Sequence, residues 1–284
     1  MNSRTTDGIK RALPAWLAAG GLLLCPAAAS SGDIAAVLSS NTGPYAEAYA
    51  AFRAELGAPI DLYDLAKPGQ TGPDEGGYAA AFGAKAAALE YPPGTHIVYA
   101  LTPVVLRTRN WHEIAMVPAP EAALAAYKGL QPGLKRLAVF WTAYPGEKYM
   151  SDLREAGEAA GIEVISSKLK NPEGFPERLR SLMGEMDAFW LMPDPALITQ
   201  SSIMLLASFS CANAIPFYAP TSALVANGAT ASYAPDFAQA GAAAARALMV
   251  MYKGGRVQQA TYVTDVRLHV NRELAENCRW PIVK

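Results

Sequence analysis

The residues best suited to hold a small molecule follow directly on short apolar runs of this 284-residue chain. Ser39, Ser40, Asn41, Thr42 and Tyr45 come after the run 34–38, Thr102 comes after 97–101, and Tyr144 comes after 137–141, whose last residue is Trp141. Asp194 follows 188–192, Thr221 follows 215–218, and Tyr233 closes a later short run. Aromatic rings with a few hydroxyls and one carboxylate grip an apolar body and orient one polar end. Ligands of open α/β sheets collect outside the carboxyl ends of the strands, so these positions are the candidate ligand contacts. Each also has a structural use. Ser39 to Thr42 could cap the helix that follows, Tyr45 and Tyr144 could pack within first helical turns, and Asp194, between Pro193 and Pro195, could cap another helix.

The parts of the common enzyme classes are missing. His96, His112 and His269 are the only histidines, with no HExxH, no CxxC and no ligand spacing, so neither a metal nor another cofactor is expected. The chain has no Gly-x-Ser-x-Gly and no Walker-A pattern, and no catalytic triad assembles from it. The loop Ser39-Ser40-Asn41-Thr42-Gly43 could turn backbone N–H groups toward an anion at a helix N-terminus, but a short polar loop alone does not specify one. A net charge of −1 without any Lys/Arg run leaves no basic field for nucleic acid. Binding, not catalysis, is the expectation.

Holding such loops in place requires strands and helices in alternation. Apolar content of 51% against 17% charged residues describes a well-cored globular chain. Near-continuous apolar runs at 34–38, 97–101, 137–141, 188–192 and 215–218 predict parallel strands covered on both faces, with weaker strands at 60–63, 114–117 and 162–166. Tyr45, Tyr49, Phe52 and Leu56 form one helical stripe, and Met150, Leu153, Gly157 and Ala160 another. Gly57 and Gly161 stand where a left-handed residue would close each helix. A long helix is expected over 235–253, stopped by Gly254 and Gly255. The Gly/Pro-dense stretch 67–77 reads as an exposed loop. The unit of strand, polar turn, helix, glycine and strand opens at Ile34 and again at Leu137, which predicts an α/β protein of two lobes of similar, Rossmann-like design with parallel sheets and a central cleft.

Arg4, Lys10 and Arg11 precede an apolar stretch over 12–25 and the small residues Ala27, Ala28, Ala29 and Ser30, the pattern of an export signal cleaved after Ala29 or Ser30. Pro14 interrupts a stretch that is shorter than the roughly 20 residues of a spanning helix. Leu24 before Cys25 is a poor site for lipoprotein processing, so a soluble periplasmic protein is expected over an acylated one. Cys211 and Cys278 remain, and their spacing leaves open whether they pair or stay as free buried thiols.

Four stretches carry a family resemblance: 37–56 (VLSSNTGPYAEAYAAFRAEL), 135–164 (KRLAVFWTAYPGEKYMSDLREAGEAAGIEV), 186–195 (MDAFWLMPDP) and 215–255, which runs from IPFYAPTSALVANG into the long helix. With 261–274 (TYVTDVRLHVNREL) they resemble substrate-binding proteins of ABC transporters with the type I periplasmic-binding-protein fold, in particular the tryptophan/tyrosine-type branch. The resemblance implies three crossings between lobes, with residues 31–133 and 235–260 in the first and 134–234 and 261–284 in the second, following the signal peptide read at 1–30. It implies a small aromatic or apolar ligand, handed to an inner-membrane permease. One departure is the compressed stretch 102–135, where family members carry a longer segment lining the first lobe's side of the cleft. That compression, with the scarcity of cleft charge, also suits a periplasmic carrier of a lipid such as a sterol-like molecule.

Overall fold

Short apolar runs alternating with helix-spaced stretches build two six-stranded sheets in the computed structural model, which describes residues 33–103 and 111–283. The expected signal peptide and its alternative lipidation site at Cys25 lie outside the described residues. In chain order the elements are β1 (Ile34–Leu38), α1 (Gly43–Leu56), β2 (Asp61–Asp64), β3 (Tyr78–Phe82), α2 (Ala84–Ala87), β4 (His96–Ala100) and β5 (Trp111–Ile114). Then come α3 (Pro120–Leu130), β6 (Arg136–Trp141), α4 (Glu147–Ala160), β7 (Glu163–Lys168), α5 (Phe175–Ser181), β8 (Ala188–Leu191), α6 (Gln200–Asn213), β9 (Phe217–Tyr218), α7 (Ala223–Ala226) and β10 (Ala231–Tyr233). The chain ends with α8 (Phe237–Tyr252), β11 (Ala260–Thr261), β12 (Leu268–Val270) and α9 (Arg272–Asn277).

The first sheet has the order β11-β5-β4-β3-β1-β2 and is parallel throughout. The second, β12-β10-β9-β8-β6-β7, is parallel except for β12, which runs antiparallel to β10. The chain therefore passes between sheets after Ile114, after Tyr233 and after Thr261. Parallel strands need helical crossovers on both faces, which is why their runs are apolar without alternation. Gly57 and Gly161 close α1 and α4 in the left-handed conformation, at φ 62° and 66°.

The lobes are packed differently. In the first, α8 lies against α1, and a Cβ on Gly241 would come 1.9 Å from the Ala48 carbonyl oxygen, so only glycine permits this approach. In the second, Tyr127 of α3 stacks on Tyr218 at 4.0 Å and meets Trp190 edge-on. Helix α3 thus packs on the second sheet, although it precedes the division expected at 131–133; having followed the first crossing, its apolar face shares that lobe's core with α4. Cys211 and Cys278 are joined, their Cα atoms 4.4 Å apart, which fixes the tail against α6. Closing a loop with a sequence separation of 67 stabilises the fold by about 4 kcal/mol on the chain-entropy estimate.

Candidate ligand-binding site

At the strand ends of the first lobe, side chains fix the loops and leave few groups free. The buried Ser39 hydroxyl accepts from the Ala86 N–H (3.1 Å), and the Ser39 N–H donates to the Phe82 carbonyl (2.9 Å), tying the β1 loop to the β3 loop. Gly83, at φ 91°, lies under the Tyr45 ring; a Cβ there would sit 2.5 Å from the ring and 2.6 Å from Ser39 Oγ. Asp64 Oδ1 accepts from the Asn41 and Ala66 N–H groups, both at 3.1 Å. Thr42 precedes α1 but forms no side-chain cap; its hydroxyl instead pairs with that of Ser40 at 3.1 Å, exposed to water. Thr102 is buried and donates to the Ala100 carbonyl (3.2 Å).

The second lobe moves more of the expected contacts inward. Trp141 is 1% exposed, a core residue whose Nε1–H donates to Ser166 Oγ (3.0 Å) and whose ring carries Lys168 Nζ at 4.6 Å. Strand parity explains this, because Leu137, Val139 and Trp141 lie on the one face that α3 and α4 cover. The Asp194 carboxylate, expected to meet a ligand, is closed by the chain itself. Oδ2 accepts from the Thr142 N–H (2.9 Å), the Thr142 hydroxyl and the Ala143 N–H (3.2 Å), while Oδ1 accepts from the Ala196 N–H (3.1 Å). It staples the β6 and β8 loops together. Thr221 is half-buried where its carbonyl accepts from the Leu224 N–H (3.2 Å), and Tyr233 is half-buried with its N–H donating to the Tyr127 hydroxyl (3.3 Å). The strand ends thus offer Ser40, Asn41, Thr42, Tyr45, Thr221 and Tyr233 to solvent, and keep Ser39, Thr102, Trp141 and Asp194 inside.

Tyr144 belongs to a different place, a pocket of about 260 Å³ where two of the crossings meet the turn between β6 and α4. Its walls include Glu113 of β5 with Ala115 and Val117 of the first crossing, Tyr144 to Gly146 of the turn with the start of α4 up to Tyr149, and Ala260 of β11 with Tyr262 of the third crossing. The Tyr144 hydroxyl accepts from the Met116 N–H (2.9 Å) and the Tyr149 hydroxyl donates to the Pro118 carbonyl (3.0 Å), so the turn holds the first crossing at two points. Glu113 Oε1 is buried without a hydrogen-bond partner. Burial pushes the Glu113 carboxyl up to about 7, against the opposing pull of a hydrogen bond from Tyr144. Burial, and next the Glu113 charge, raise Tyr144 well above the ordinary tyrosine value, so its hydroxyl stays protonated. Sequence reasoning passed over Glu113 because it expected the strand at 114–117. The signal was there: one carboxylate between Trp111 and Ile114 with no cation beside it.

No curated protein sequence matches the chain. Among solved structures, an ABC domain from Streptococcus pneumoniae in complex with L-Trp superposes with TM-score 0.60 at 14% identity, covering 89% of this chain and 96% of that one. A ligand-free, open substrate-binding protein with adhesive properties from Clostridium difficile gives 0.60 at 16% identity, covering 87% and 94%. An ABC transporter solute-binding protein from Agrobacterium vitis with bound allitol gives 0.50 at 15% identity, covering 87% and 97%. Likeness at these identities is likeness of fold, here two mostly parallel sheets with flanking helices. The sequence model of the family described as ABC transporter substrate binding protein matches residues 121–278, more than half of the sequence, and this places the chain among binding proteins, not enzymes. The chain belongs to the ABC transporter substrate-binding protein family.

Proposed function

We propose that this solute-binding protein is exported to the periplasm, captures a small, largely apolar or aromatic molecule with one polar end between the strand ends of its lobes, and passes it to an inner-membrane permease. The observation that carries the ligand class is the closure of the strand-end carboxylate of Asp194, whose two oxygens both spend their hydrogen bonds on the chain's own donors, as one oxygen of Asp64 also does. What remains at the rim is two tyrosine rings with hydroxyl and amide groups, which suits an uncharged body. The fold itself serves both kinds of cargo, since the Streptococcus relative holds L-Trp and the Agrobacterium relative holds allitol. Export is supported by the basic and apolar start and by the Cys211–Cys278 bond, which persists in an oxidising compartment.

Titration calorimetry of the mature protein with indole, L-tryptophan and glutarate tests the ligand class. Indole should bind, tryptophan should bind more weakly because its charged ends find few partners, and glutarate should give no heat at millimolar concentration. Tight glutarate binding would overturn the reading, and a co-purified species of sterol mass in native mass spectrometry would move it to the lipid carrier.

A further inference from the structure

We propose that the pocket at the crossings is a second binding site, and that it takes a small organic amine whose ammonium pairs with Glu113 while its body lies against Tyr144, Tyr149 and Tyr262. Glu113 is 9% exposed and its Oε1 has no partner, yet it borders a pocket of about 260 Å³ with room for a phenyl ring and a short amine chain. A buried carboxylate with one oxygen lacking a donor is costly to leave so, and a cation entering beside it relieves that cost. The surrounding charge has the matching sign. Tyr262 is raised first by burial and then by Asp152, Glu121 and Glu113, all three of them acidic. The lysines nearby are engaged: Lys148 holds Asp152 at 2.5 Å and Lys168 holds Glu147 at 2.8 Å. An anion would meet repulsion here, and a neutral alcohol would leave the carboxylate charge uncompensated. The rings add apolar and cation–π contact to an ammonium. The site shares Tyr144 with the strand-end set but none of the residues left open there, because its lining comes from β5 and β11, the crossings that follow them, and the segment that joins β6 to α4.

Calorimetry with 2-phenylethylamine, and 2-phenylethanol as its neutral counterpart, decides the matter on the mature protein. The amine should bind at pH 8 and at least tenfold more weakly at pH 5.5, whereas any binding of the alcohol, which the strand ends can also take, should be the same at both values. The amine stays charged at both values, so the loss reports Glu113 taking up a proton. The other titratable groups facing the pocket are Tyr144, Tyr149, Tyr262, Glu147 and Lys148, with Glu121 and Asp152 within electrostatic reach; the hydroxyls stay protonated throughout. His112 lies on the opposite face of β5, with Nδ1 near the Gln258 carbonyl at 3.4 Å. Glu113→Gln should cost the amine at least tenfold in affinity. Ala260→Leu, which fills the pocket and leaves the carboxylate in place, should do the same, and decides alone if the first variant does not fold. Amine affinity that is the same at pH 8 and pH 5.5, unchanged amine affinity in either folded variant, or no amine binding at millimolar concentration would each overturn the proposal.

Discussion

Three carboxylates are buried to nearly the same degree, Asp194 at 4%, Asp64 at 7% and Glu113 at 9% exposure, but the chain treats them in opposite ways. Asp64 and Asp194 stand at strand ends, where the backbone leaves its ladder and its N–H groups are free to turn toward a side chain. Asp194 collects three backbone N–H groups and a hydroxyl, and Asp64 two N–H groups. Glu113 lies within a strand, where the ladder has already used the backbone: its own N–H donates to Gln259 and the N–H of Ala115 to Thr261. Only the Tyr144 hydroxyl is left to reach it. A carboxylate at a strand end shapes the loops that would meet a ligand, whereas one inside a strand keeps binding capacity that the fold does not consume.

The largest effect should come from Asp194→Ala. It orphans the Thr142 and Ala143 N–H groups, which the structure gives no other acceptor, and cuts the staple between the β6 and β8 loops. Losing a buried, charge-assisted network of this kind costs about 4 kcal/mol. Urea unfolding of the variant should show a loss of unfolding free energy of that size, and a loss below about 1 kcal/mol would put Asp194 in the same class as Glu113.

Glu113→Gln should act in the opposite direction. A carboxyl whose folded pKa of about 7 exceeds its ordinary 4.5 binds more protons folded than unfolded between those values, so its contribution to stability falls as pH rises through that window. The full penalty is present above pH 7 and absent below about 4.5. Glutamine removes it, so the variant should be more stable than the parent by up to about 3 kcal/mol at pH 8 and no different at pH 4.5. Thermal melts at the two pH values measure this. A variant destabilised at pH 8 would show that Oε1 has a partner besides the one Tyr144 gives the carboxylate.

How far the sequence reveals these differences depends on the residue. Strands 34–38, 137–141 and 188–192 were legible because parallel strands covered on both faces are apolar without interruption, and β1, β6 and β8 occupy nearly those residues. Strand β3 was not, since Tyr-Ala-Ala-Ala-Phe lacks the β-branched residues that mark a strand and is placed by pairing with β1 and β4. The strand expected at 114–117 is β5 at Trp111–Ile114, and 115–119 is the crossing, so the apolar signal belonged to buried connection and not to the sheet. The site was legible only as a set of loops. Nothing in residue type distinguishes Asp194, whose hydrogen bonds are spent, from a carboxylate left for a ligand; that depends on which N–H groups the loops turn inward. The pairing of Cys211 with Cys278 likewise rests on α9 folding back over the lobe that holds α6.

The smallest effect, and the one that separates the two duties of a single hydroxyl, is that of Tyr144→Phe. The Tyr144 oxygen accepts from the Met116 N–H at the first crossing and hydrogen-bonds to Glu113. Removing it orphans the N–H at every pH, a cost of about 1 kcal/mol. The loss to Glu113 depends on charge, because a hydroxyl stabilises a carboxylate more than it stabilises a neutral carboxyl. Without that donor the Glu113 carboxyl moves further up from about 7, so at pH 8 the variant should lose about 2 kcal/mol and at pH 5 only about 1. In a Glu113→Gln background the difference between the two pH values should vanish, leaving the cost at Met116 alone. If Tyr144→Phe costs the same at pH 5 and pH 8 in the parent, the hydroxyl serves only the crossing, and Glu113 stands in the pocket without a partner on either oxygen.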